Sequence, residues 1–271
     1  MQRAPTGTRR RACVVIDVGN TSTSIGRWDG RRVTAVSAVR GGISASPEDV
    51  ARALDRAGAR SACAAVLASV VPAVNAQWSW YLRRLYGLKL EILSHETPLP
   101  IAVDYPHPRQ IGADRLCDAA GAAARHGFPV AVADFGTALT FDVVDARGAY
   151  VGGLIAPGLP VMGSYLHEKT AQLPAIDLRA GSPDWGDSTA HAMQLGARVA
   201  YRGMVREMAD FIRRRTGDGT VFCATGGYAA WALEDSGIPC SVEPDLTLYG
   251  LGVIWSGARI PKARPPRVPR G

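Results

Sequence analysis

Apolar positions come in short bursts along this chain, and their period changes from place to place. Residues 12–18 form a near-continuous apolar run rich in β-branched side chains, which reads as a buried strand. A Gly/Asn/Thr turn follows, and a second strand is expected near 22–28. Trp28-Asp29-Gly30-Arg31 has an Asp-Gly pair at its centre and predicts a hairpin turn into a third strand, RVTAVSAV. Ser46-Pro47-Glu48-Asp49 supplies a capping serine, a first-turn proline and two acids beside the positive end of a helix dipole. A helix therefore starts there. A buried strand at 62–70, a helix over about 73–86 and a strand near 88–93 complete a first series.

The series restarts after a loop at 95–108. An alanine-rich helix is expected over about 109–126, then strands at 129–134, 139–145 and 149–155. Helices follow at about 158–170 and 188–215. A strand at 220–224, a helix near 228–236, a short strand at 239–243 and a helix near 248–257 close the pattern. Both series begin with three consecutive strands and continue into helices. The repeat predicts an α/β protein of two similar halves, 13–108 and 109–257, flanked by disordered tails at 1–12 and 258–271.

Composition changes this picture little. Hydrophobic residues make up 47% and charged residues 20%, which suits a globular chain with a core. No apolar run reaches the length of a membrane span. The opening residues are charged and read as a lead-in to the first strand, not as a signal peptide. Five scattered cysteines with no C-x-x-C point to a reducing, cytoplasmic compartment. The net charge of +7 is more informative once it is located. Arg3, Arg9, Arg10 and Arg11 sit in the first tail; Arg259, Lys262, Arg264, Arg267 and Arg270 sit in the last. Without those nine, 22 basic residues face 24 acidic ones. The body is slightly acidic, which argues against a nucleic-acid partner beyond the tails.

The candidate chemistry lies in the turns. Asp17-Val18-Gly19-Asn20-Thr21 ends the first strand of one half, and Asp134-Phe135-Gly136-Thr137 ends the first strand of the other. An acid at a strand exit can hold Mg²⁺ through water. A glycine lets the backbone turn tightly. Asn20, Thr21, Ser22, Thr23 and Ser24 offer amide and hydroxyl donors to phosphate oxygens. Two such turns at matching places predict an ATP cleft between the halves. Gly112-Ala113-Asp114-Arg115 opens an apolar helix, where Asp114 is either a helix cap or a general base, and Arg115 a fork for an anionic group. Thr225-Gly226-Gly227 stands between a strand and a helix, where backbone passes close to a flat ligand such as adenine. Neither G-x-x-x-x-G-K-[ST] nor G-x-G-x-x-G occurs, and the five histidines show no H-E-x-x-H spacing. The spacing of histidines and cysteines predicts no zinc site.

Taken in order, these motifs resemble the type III pantothenate kinases of the actin-like ATPase superfamily. The resemblance runs from about Cys13 to Ser256. It rests on D-x-G-N-T, P-x-x-x-G-A-D-R, D-F-G-T-A-x-T-x-D, G-G-x-I-x-P-G, T-A-x-L-P, G-x-x-T, T-G-G and L-T-L-x-G-L. It implies a duplicated ribonuclease-H-like fold and transfer of phosphate from ATP to pantothenate, the first step towards coenzyme A. It implies ATP phosphates around Asp17, Val18, Gly19, Asn20, Thr21, Ser22, Thr23, Ser24 and Thr137. Pantothenate would lie at Tyr105, Gly112, Ala113, Asp114, Arg115 and Thr189. Asp114 matches the family's base, Asp17 would hold Mg²⁺ through water, and Asp134 matches the ligand of a monovalent cation, K⁺ or NH₄⁺. A homodimer is implied as well. Two departures stand out: Ala138-Leu139-Thr140 replaces alanine and two threonines, and Asp187-Ser188 precedes Thr189 where an asparagine is usual. The rival readings are a kinase for another small alcohol and an inactive nucleotide-binding regulator of the same fold.

Overall fold

The computed structural model describes residues 12–41, 46–180, 184–258 and 260. The tails expected at 1–12 and 258–271 fall outside these residues except for Ala12, Ala258 and Ile260. The first series contains β1 (Cys13–Val18), β2 (Ser22–Trp28), β3 (Val33–Arg40), α1 (Pro47–Arg56), β4 (Ala64–Ser69), α2 (Asn75–Tyr86) and β5 (Leu90–Ile92). A two-residue strand, β6 (Ala102–Val103), follows. The second series contains α3 (Ala113–His126), β7 (Val130–Phe135), β8 (Ala138–Val144), β9 (Ala149–Pro157), α4 (Leu159–Lys169) and α5 (Thr189–Thr216). It ends with β10 (Val221–Thr225), α6 (Ala229–Leu233), β11 (Cys240–Val242) and α7 (Leu246–Trp255).

The repeat read from the sequence is a repeat of topology. One sheet runs β3-β2-β1-β4-β5; the other runs β9-β8-β7-β10-β11 with β6 added beyond β9. In each, the first two strands form an antiparallel hairpin and the first and fourth are parallel. This shared order is that of the duplicated actin-like fold. The chain divides into two compact units that are not continuous stretches. Among the described residues, unit 1 comprises 12–41, 46–100, 109–117 and 247–258; unit 2 comprises 101–108, 118–180, 184–246 and 260. The 109–117 segment and most of α7 therefore pack with the first series, although the sequence reading put them in the later half.

In unit 1, Val14, Ile16, Val18 and Ile25 share a cluster with Val50, Ala53 and Leu54 of α1 and Trp78 and Leu82 of α2. The opposite face meets α7. Gly252 has no side chain where the Trp28 indole lies against α7, and Tyr249 meets that ring edge-on at 5.5 Å. Trp28 Nε1 donates to Ser256 Oγ at 2.6 Å. In unit 2, α5 buries Met193, Ala197, Tyr201, Val205, Ala209 and Ile212, a helical stripe facing Ala131, Ala133, Phe135, Leu139, Phe141 and Val143. The stripe explains why 28 residues stay in one helix. Helix α3 is buried from Leu116 to Ala123. Its alanines allow that, since small side chains let neighbouring backbone approach.

Candidate active site

Alternation along β1 sends Val14, Ile16 and Val18 into the helix-side core and Asp17 to the other face. Asp17 is paired with Ser24 across the hairpin. The turn between them is closed by Gly19 N–H donating to Ser22 O at 3.0 Å, and Asn20, Thr21 and Ser22 are exposed. Exposed donors around a half-buried carboxylate form a set of hard ligands, which suits Mg²⁺ and phosphate. Thr23 differs from its neighbours. It lies on the Ile25 side of β2, fully buried, and no described group pairs with its hydroxyl. The sequence grouped Thr23 with the phosphate donors; its side chain lies on the core face of the strand instead.

Unit 2 builds its counterpart with three glycines. Gly136 N–H donates to Ala138 O at 3.1 Å and closes the turn after Asp134. Gly158 N–H donates to Thr137 O at 3.1 Å, and only a residue lacking Cβ fits so close to that backbone. Gly226 has φ +91°, and a Cβ on it would lie 2.5 Å from Asp134 Oδ1 and 2.6 Å from Phe135 N. The Gly226 turn therefore packs on the acid turn of its own unit, whereas its neighbour Gly227 faces open space. Thr137 and Ala138 are exposed beside them. A side chain at 226 would collide with the Asp134 carboxylate, so this glycine is what lets the two turns approach. Asp142, which ends the same motif, is buried and accepts from Tyr150 Oη at 2.8 Å, a structural role.

Asp114 occupies the first turn of α3, immediately after the Gly112 turn. A side chain on Gly112 would collide with the Asp114 carboxylate. Burial pushes the Asp114 carboxyl above the ordinary aspartate range, against the opposing pull of Arg115 and its backbone N–H. Beside this turn lies a recess of about 350 Å³, walled by Ser69, Ser94, His95, Arg109, Gly112 and Ala113. Ser69 is the register partner of Val18 at the exits of β4 and β1. The recess thus opens at the carboxyl ends of parallel strands, where α/β sheets bind ligands. Sequence reasoning did not single out Ser69, the last residue of β4, nor His95 and Arg109, which lie outside regular strands and α-helices; the exit of the strand that Ser69 ends was the available signal.

The remaining substrate candidates belong to unit 2. Tyr105 packs edge-on against Tyr150 at 6.0 Å, and Gly152, at φ +117°, leaves room for its ring. Thr189 is the first residue of α5 and is exposed; Ser188 caps that helix by accepting from His191 N at 3.2 Å. The departure at 187–188 is thereby partly explained: serine is a good cap, and Asp187 reaches His191 at 3.0 Å.

The comparison that decides the family is a match over residues 13–211 to the model of the type III pantothenate kinases. This chain belongs to that family. A type III pantothenate kinase of Akkermansia muciniphila is 47% identical over 191 residues, covering 70% of this chain and 77% of that protein. One of Acidiphilium cryptum is 36% identical over 262 residues, covering 93% and 97%. Among solved structures, a conserved Baf family transcriptional activator from Campylobacter jejuni superposes with TM-score 0.58 at 14% identity, over 90% of this chain and 98% of its own. At that identity the likeness speaks for the fold alone.

Proposed function

We propose that this pantothenate kinase family member transfers the γ-phosphoryl group of ATP to the primary hydroxyl of pantothenate. The observation that carries the reading is Asp114, a carboxylate whose pKa burial raises, in the helix turn whose Gly112 and Ala113 line a recess. A base poised in this way can take the hydroxyl proton as the oxygen attacks phosphorus. Arg115 would fork onto the substrate carboxylate, and Tyr105 and Thr189 would complete the pantothenate contacts. Phosphate oxygens would meet the donors of the Asp17–Ser24 hairpin, through Asn20, Thr21, Ser22 and the backbone, and those of Thr137. When bound, Mg²⁺ at Asp17 and K⁺ or NH₄⁺ at Asp134 would neutralise phosphate charge. Most of the rate in phosphoryl transfer comes from such positioning and electrostatics.

A second recess, of about 360 Å³, is lined by α4 from Leu159 to Glu168, by residues 175–179 and by Tyr228. Of these, Leu159 and Tyr228 directly follow the Gly158 and Gly226-Gly227 turns beside Thr137 and Asp134. It has the size of a nucleoside site and supports the ATP reading. Cytoplasmic location is part of the same reading, consistent with five unbridged cysteines. None of the described helices is long and apolar enough to cross a membrane.

The test is ADP release with ATP, Mg²⁺ and K⁺, with and without pantothenate, in parallel with Asp114→Asn. The expected outcome is pantothenate-dependent turnover that falls by roughly a hundredfold or more in the variant, with ATP binding kept. Turnover with another alcohol only would move the substrate; an unimpaired variant would remove Asp114 as base.

A further inference from the structure

Three residues far apart in sequence meet on one face of the second sheet. Phe222 and Ala224 of β10 point into the α5 core, so Cys223 between them faces the other way, towards α3. His126 is the last residue of α3. Glu243 follows β11 directly, held beside Ala224 by a 2.7 Å backbone hydrogen bond. His126 Nε2, Cys223 Sγ and a Glu243 oxygen all lie within 4.8 Å of one another. Cys223 is fully buried and Glu243 nearly so, while the His126 side chain keeps 23% of its surface exposed.

We propose that His126 Nε2, Cys223 Sγ and Glu243 Oε1 form a site for a borderline-soft divalent cation of the zinc class. Imidazole, thiolate and carboxylate are the three donor types zinc takes. With ligand bonds of about 2.0–2.3 Å, tetrahedral donors stand roughly 3.3–3.7 Å apart, so the cluster closes on an ion with small side-chain shifts. The exposed edge of His126 leaves a fourth position to water. Charge agrees with the geometry. Arg125 is the cation here, bridging Glu243 and, at 3.0 Å, both oxygens of Asp245. Against that one cation stand the Glu243 and Asp245 carboxylates, while burial raises the Cys223 thiol pKa, so the sulfur becomes a thiolate only on binding the dication.

Binding exchanges one set of bonds for another. The Cys223 S–H bond breaks, the sulfur–metal bond forms, and the proton leaves to solvent. His126 gives up its hydrogen bond to Glu243 and binds through the Nε2 lone pair, with its proton on Nδ1. Arg125 keeps its hold on the other Glu243 oxygen and orients the ligand from outside, as such partners do at zinc sites. Ser241 Oγ, 3.0 Å from Glu243 Oε1, turns aside. The Mg²⁺ of a kinase would not fill this site, since it prefers six oxygen donors.

The experiment is a Co²⁺ titration of the full chain in the presence of a non-thiol reductant and excess Mg²⁺. A thiolate-to-cobalt charge-transfer band should grow and saturate at one equivalent. It should persist in Cys63→Ser, an exposed thiol, and vanish in Cys223→Ser. His126→Ala should weaken zinc at least tenfold in chelator competition. That arm decides the matter if Cys223→Ser does not fold. No band in the unaltered protein, a band that survives Cys223→Ser, or unchanged zinc affinity in His126→Ala would each overturn the site.

Discussion

At the scale of single residues, function and stability pull against each other at Asp114. Its folded pKa is raised, so the folded state binds the proton more tightly than the unfolded chain does. The ionised form therefore costs stability at neutral pH, and that cost is relieved as pH falls through the raised value. Asp114→Asn should accordingly melt at a higher temperature than the parent at pH 7 while losing turnover, as scanning calorimetry and the ADP assay would read. For the same reason, the acid limb of kcat/KM should lie above the ordinary aspartate pKa, since the base must be deprotonated to act. Gly226 makes a different kind of residue-scale claim. Alanine there meets a left-handed backbone and the Asp134 carboxylate at once. Gly226→Ala should cost about 1–3 kcal/mol in denaturant melts and reduce turnover through the displaced acid turn. The motifs singled out both residues, with Asp114 read as a cap or a base and Gly226 as a close approach to a flat ligand. Their physical reasons were not legible there: burial at 114 and contact at 226 exist only after folding.

At the scale of elements, most strands and helices begin and end near where their patterns predict. Ser46 does cap α1, accepting from Asp49 N at 3.3 Å. The helix expected from 109 instead begins at Ala113, after a short 3-10 turn at 108–110, because Gly112 breaks the approach. β6 escaped notice inside a long loop. Two residues leave no period to read, and pairing with β9 alone defines them. Helix α7 shows the strongest tertiary control. It is apolar on nearly every side, so its sequence does not say which sheet it covers. The Trp28 indole, set against Gly252 and capped by Ser256, determines that it packs on the first sheet. Trp28→Ala should remove that anchor and cost about 3–5 kcal/mol of unfolding free energy, measured by chemical denaturation.

At the scale of the whole molecule, unit 2 exposes Ile155, Tyr165, Trp185 and Val199, large apolar side chains on β9, α4, α5 and the loop before α5. The family resemblance implies a homodimer, in which side chains of this kind could be covered. Sedimentation velocity at micromolar concentration should find a dimer, and a monomer under those conditions would remove that part of the reading. By itself, the sequence determined the duplication, the two acid turns, the Asp114 turn and the family, because each rests on local pattern or on contiguous motif. Tertiary structure alone decided which face Thr23 takes, which unit α7 joins, what Gly226 touches, and that His126, Cys223 and Glu243 meet. These depend on side-chain direction and on contacts between residues up to more than a hundred positions apart. Spacing along a chain carries no record of such contacts; burial and strand register create them.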